Sequence, residues 1–151
     1  MEITSSVDIR GALNALKIAQ ASPAKRERAL KKAGLLQVTA IKERTADGVG
    51  VDGEFKDYSP SYAKRLRERR YGKKKPKGGF KPVRPVNLFY TGKMLADLGV
   101  VKATPSYALL SFRRPMERKK AQGNQRTRPF MGITPDEQRD IMRVFKRELF
   151  K

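Results

Sequence analysis

The chain contains neither cysteine nor histidine. Together these absences remove thiol nucleophiles, imidazole general bases and every Cys or His metal ligand. No catalytic residue, metal site or cofactor is therefore expected, and the protein reads as a non-enzyme. Lack of cysteine also excludes disulfides and accords with a reducing compartment. Nowhere do about eighteen apolar residues run together, as a membrane span needs. The stretch MEITSSVDIRGALNALKIAQ has an early acid and no continuous apolar core of the kind a signal peptide carries. A soluble protein made in the cytoplasm is expected.

Negative charge is scarce as well. Fifteen Asp and Glu face 35 Lys and Arg, a formal charge of +20 in 151 residues. Such a field favours polyanions or an acidic protein partner and says nothing about fold. At this length one domain is expected, spanning residues 1–151, with a small core and extended basic loops at about 67–86 and 113–128.

The elements follow from periodicity and punctuation. Val7 to Gln20 predicts a modestly amphipathic helix on Ile9, Leu13 and Leu16. Ser22-Pro23 caps and starts a second, long helix, with Ala29, Ala33, Leu36 and Ala40 on its inner face, Leu30 and Ile41 flanking them, and an end near Thr45. Gly48, Gly50 and Gly53 predict a tight reversal; the run lacks the Lys-Ser ending of a phosphate-binding loop. Asp47, Asp52, Glu54 and Asp57 cluster there, without EF-hand spacing or its terminal Glu. Ser59-Pro60 repeats the cap-plus-proline signal for a short helix. Thr91 is expected to cap GKMLADL, with Gly99 as its stop. Val100 to Phe112 alternates about Thr104-Pro105-Ser106 and predicts a hairpin. Thr134 and Glu137 have capping-box spacing, before a stripe of Ile141, Val144, Phe145 and Leu149. The fold class is α+β: N-terminal helices and a C-terminal helix packed on a small antiparallel sheet, with long basic loops.

The charge is concentrated. Residues 64–84 hold eleven basic groups against one acid, and residues 113–128 hold seven against one. Arg69, Arg70, Lys73, Lys74, Lys75, Lys77, Lys81 and Arg84 in the first stretch are candidate contacts to an anionic partner or a DNA backbone. Arg113, Arg114, Lys119 and Lys120 are the candidates in the second. Aromatics are few in both, which disfavours stacking on single strands. No helix-turn-helix, zinc-finger or RNA-recognition signature is present, so any DNA contact is expected without base readout.

Three stretches in order carry a resemblance: AIKERTADGVGVDGEFKDYSPSYAKRL (40–66), VNLFYTGKML (86–95) and RPFMGITPDEQRDIMRVFKREL (128–149). The chain resembles the phage virion morphogenesis, or tail completion, family of Mu-like and P2-like phages. That resemblance implies a structural virion protein of the neck or tail end, forming a homo-oligomeric ring, expected as a hexamer. Such a ring completes the tail and joins it to the head connector, touching neighbouring neck, connector and tail tube proteins and, non-specifically, phage DNA. Many members carry a histidine-glycine segment after the hairpin, where this chain has its second basic stretch. Candidate subunit or partner contacts are Tyr58, Ser59, Pro60, Tyr62, Thr91, Gly92, Arg128, Pro129 and Phe130. For the tyrosines, ordinary packing is the competing role; for Arg128, Pro129 and Phe130 it is loop anchoring. The alternative from a different class is a free-standing, basic, architectural DNA-binding protein.

Overall fold

The computed structural model describes residues 5–6, 21–71, 85–88 and 91–151, with the side chains of residues 70 and 71 outside that description. The helix expected over Val7 to Gln20 lies outside it. The fold is α+β, as expected, with helices packed against two small antiparallel sheets.

Helix α1 (Pro23–Ala46) begins where Ser22 Oγ accepts the Lys25 amide at 3.3 Å, with proline in the first turn. It ends at Asp47 before Gly48, whose φ of 82° suits a glycine. Its buried face runs through Ala29, Leu30, Ala33, Gly34, Gln37, Val38, Ile41 and Thr45. The expected stripe on Leu36 and Ala40 is off-centre, because both are only half-buried. Two neighbours widen and rotate the buried arc. A β-sheet lies on one side, so close that a Cβ on Gly34 would stand 3.0 Å from Val100 Cγ2 and 3.2 Å from Ala108 Cβ. The C-terminal helix lies on the other.

That helix, α5 (Pro135–Leu149), carries the expected capping box, with Thr134 Oγ1 accepting the Glu137 amide and Glu137 accepting the Thr134 amide. Ile141, Phe145 and Leu149 are buried, and the helix packs on α1. The two run antiparallel: Arg44 pairs with Glu137 at one end and Lys32 with Glu148 at the other.

Strands β4 (Leu98–Ala103) and β5 (Ala108–Phe112) form the expected hairpin, with β1 (Ser5–Ser6) on the far side of β5. The hairpin starts two residues earlier than expected, pairing Leu98 with Phe112. Gly99 therefore sits in a strand rather than stopping a helix, since burial of Leu98 pulls the chain into the sheet directly after the short helix α3 (Lys93–Asp97). A register shift between Val100 and Lys102 leaves Val101 exposed on the edge strand.

The stretch 113–128, expected as a loop, is largely helix: α4 runs from Pro115 to Thr127. Its buried positions are Glu117 and Ala121, four apart, so the inner face carries almost no hydrophobic period. Pro115 in the first turn and Glu117 near the positive end of the helix favour it locally. The Gly48–Gly53 reversal is a two-stranded hairpin, β2 (Val49–Gly50) with β3 (Gly53–Glu54). Phe112, Phe130 and Phe145 centre the core, with Phe112 and Phe130 tilted at 60° and 6.4 Å between centroids.

Candidate functional site

Residues 128–134 are held through many of their backbone groups. Val51 donates to Pro129 O at 2.9 Å, and Arg44 Nη2 donates to Phe130 O at 2.7 Å. Gln125 Oε1 accepts both the Phe130 and Met131 amides, while its Nε2 donates to Met131 O. Gln37 Nε2 donates to Gly132 O at 2.8 Å and to Glu137 Oε2 at 3.1 Å. The segment thus staples α1, α4, α5 and the β2–β3 hairpin together. Two glycines permit the approach: a Cβ on Gly50 would meet Pro129 O at 2.5 Å, and one on Gly132 would meet Val51 Cγ2 at 2.7 Å. Phe130, fully buried, is the anchor of this loop and not an exposed contact, which decides between its two expected roles.

Arg128 points the other way. Its Nε donates to Lys56 O at 2.9 Å and its Nη2 to Asp57 O at 2.7 Å, with the guanidinium 5.0 Å from the centroid of Tyr58. Tyr58 accepts the Leu88 amide at 3.1 Å, and its ring lies 4.9 Å from that of Tyr62. Burial raises the Tyr58 phenol above its ordinary value, partly offset by the Leu88 amide and the Arg128 charge. Beneath the glycine turn packs Phe55, its amide bonded to Gly48 O at 2.8 Å and its ring against Gly50.

Helix α2 (Pro60–Tyr71) starts as expected: Ser59 Oγ accepts the Tyr62 amide at 3.4 Å, and Ser59 O accepts the Ala63 amide at 2.9 Å. Pro60 is exposed beside it. Thr91 is displaced by one from its expected role. The cap of α3 is Gly92, with φ of 72°, while Thr91 Oγ1 accepts the Lys93 amide at 3.4 Å.

These pieces border one open groove of about 810 Å³. Tyr58, Ser59, Tyr62, Thr91, Gly92 and Arg128, six of the nine residues expected as contacts, line it. Leu88 and Met94 add apolar surface; Lys56, Arg65 and Lys120 add charge. Pro60, Pro129 and Phe130 do not line it. Compared with family models, curated proteins and solved structures, the chain matches none.

The anionic-partner candidates divide. Arg69, Arg113 and Lys119 are exposed. Arg114 is held by Asp97, through Nε at 2.9 Å and its amide at 2.8 Å, and Lys120 by Glu117 at 3.0 Å. Both therefore serve their own chain first. Burial alone would raise the Asp97 carboxyl, but the Arg114 amide and guanidinium hold it below its ordinary value. The Arg70 side chain and Lys73, Lys74, Lys75, Lys77, Lys81 and Arg84 lie outside the described residues.

Sequence reasoning missed Gln37, Gln125, Arg44 and the groove residues Lys56, Arg65, Leu88, Met94, Glu117 and Asn124. Polar side chains bonded to backbone across about ninety residues leave no local period. Glu137, through its capping box, was the one member of the network with a sequence signal.

Proposed function

We propose that the chain is a non-enzymatic assembly protein of a phage neck or tail end, forming a ring that completes the tail and joins it to the head connector. One observation supports this reading above the others. Residues from three separated stretches, all singled out by the resemblance, converge on a single groove open to solvent. A protein that joins a tail to a head connector must meet unlike neighbours as well as copies of itself. A groove with an amphipathic floor and a charged rim is suited to receive one of those neighbours. The basic run that follows α2 then supplies charge density toward anionic neighbours. Its stretch GKKKPKGG carries charge on lysine alone, a point charge without the bidentate geometry that reads guanine.

The test is assembly. Neutralising Lys73, Lys74, Lys75 and Lys77 together is expected to impair the joining of tails to heads while circular dichroism and melting stay unchanged. Particles assembled at normal yield by that variant would sink the role given to the run. Light scattering at low and high salt separates the architectural alternative, which rests on the charge of +20: a monomer that shifts duplex DNA tightly at low salt favours it.

A further inference from the structure

Helix α2 buries far less than α1 or α5. Of its described side chains only Ala63 is buried, while Tyr62, Leu66, Arg67 and Glu68 are half-buried. A helix of twelve residues with so little packing is marginal in water. Its Tyr62–Arg65 turn forms one wall of the groove, and α3 and α4 form the other. The floor is amphipathic: two tyrosine rings with Leu88 and Met94. Around it stand Lys56, Arg65 and Arg128, opposed by Asp57, while Lys120 and Glu117 offset each other.

We infer that this groove is a docking site for an acidic segment of a different protein that carries aromatic or long aliphatic side chains. The inference names the partner class of the site proposed above, and rests on that reading only for the partner being a neighbour in the particle. Three observations select this occupant. The rim is cationic and so complementary to carboxylates. The floor offers rings and a thioether, which reward an inserted apolar side chain and give a phosphate chain nothing. Finally, Tyr58 has Arg128 against its ring and Tyr62 beside it at 55°, so successive bases have no stack of parallel faces to use. A second copy of the chain is a poorer occupant. Its exposed acidic turn, Asp52, Glu54 and Asp57, keeps its aromatic Phe55 buried, and Asp97, Glu117, Asp136, Glu137, Asp140 and Glu148 are each paired with a cation of their own chain.

The β4 edge is the competing surface, and it is guarded: its register shift and Lys102 are features that discourage a further strand.

The test uses the full chain and fluorescence anisotropy at physiological salt. The probes are a short labelled peptide alternating Glu with Phe, a polyglutamate of equal charge and a duplex DNA of equal charge. The Glu-Phe peptide is expected to bind about tenfold more tightly than either other probe. Tyr62→Ala and Arg65→Glu should each weaken it about tenfold, as loss of one anchoring side chain does. Tyr62→Phe should retain it. Arg28→Glu makes the same charge change on an exposed site that does not line the groove, and should leave binding unchanged. If Tyr62→Ala loses helix by circular dichroism, Thr91→Trp replaces it, filling the groove from an exposed position. Absence of peptide binding, duplex bound as tightly as peptide, or equal losses in Arg28→Glu and Arg65→Glu would each overturn the inference. Oligomeric state is read separately. A monomer that binds the peptide removes the ring and keeps the groove, whereas a ring indifferent to the peptide removes the groove alone.

Discussion

Gly50 and Gly123 make a paired case of what a glycine does. At Gly50 a methyl group would lie 2.5 Å from a backbone oxygen, Pro129 O, and 2.7 Å from the Phe55 ring. Backbone cannot step aside cheaply, so Gly50→Ala is expected to destabilise by roughly 1–3 kcal/mol, as other overpacked sites do. Gly123, inside α4, has nothing within 4 Å of the same position. There Gly123→Ala only reduces the entropy lost on folding and should stabilise by about 0.5–1 kcal/mol. Denaturant midpoints of the two variants should move in opposite directions; a shared direction would contradict the packing at one of them. Neither outcome is legible in the sequence, where both are simply glycines. What distinguishes them is a carbonyl 79 positions away from Gly50 in the chain, brought there by the staple at residues 128–134.

Helix α5 is where sequence and structure agree most closely, and its contributions can be separated. Phe145 is fully buried between α1 and the sheet-side core, so Phe145→Ala should cost roughly 3–5 kcal/mol. An unchanged melting temperature would mean the stripe is not packed as described. At the last turn, hydrogen bonds from Lys32 and Lys151 lower the Glu148 carboxyl from 4.5 to about 2. A carboxyl depressed in the folded state adds stability that is present above its ordinary value and is lost as pH falls. Wild type should therefore exceed Glu148→Gln in stability at neutral pH, and the difference should shrink as pH drops from 4.5 toward about 2. Melting curves of both across that window check it, and a constant gap would mean the Lys32 pairing does not anchor the helix. Helix α4 is the counter-example. Its inner face is Glu117 and Ala121, with Gln125 bonded to residues 130 and 131, so its helicity rests on tertiary hydrogen bonds that a hydrophobic pattern does not encode.

For the molecule as a whole, charge rather than shape sets the long-range behaviour. With +20 on 151 residues, contact with duplex DNA should come from phosphates, whose counterions are released on binding. Duplexes of different base sequence should then bind alike, and affinity should fall steeply between about 50 and 200 mM salt. A preference of more than about tenfold for one sequence would demand a base-reading element, and lysine-rich segments do not supply one. This long-range term and the groove act independently. The first depends on net charge, and the second on where Tyr58, Tyr62 and Arg128 come together.

By itself the sequence determined the helix starts at Ser22-Pro23, Ser59-Pro60 and Thr134-Pro135, the β4–β5 hairpin, the α5 stripe and the excess of positive charge. Each is written in neighbouring residues, because capping, proline geometry and side-chain period act over one or two turns. Only the tertiary structure decided that α1 turns its Leu30–Gln37 face inward, that residues 115–127 are helical, and that Phe130 is core while Arg128 beside it faces a groove. Those outcomes depend on close approach and on hydrogen bonds between distant segments. Two residues separated by a single proline take opposite roles once Val51, Arg44 and Gln125 grip the backbone from Pro129 to Met131.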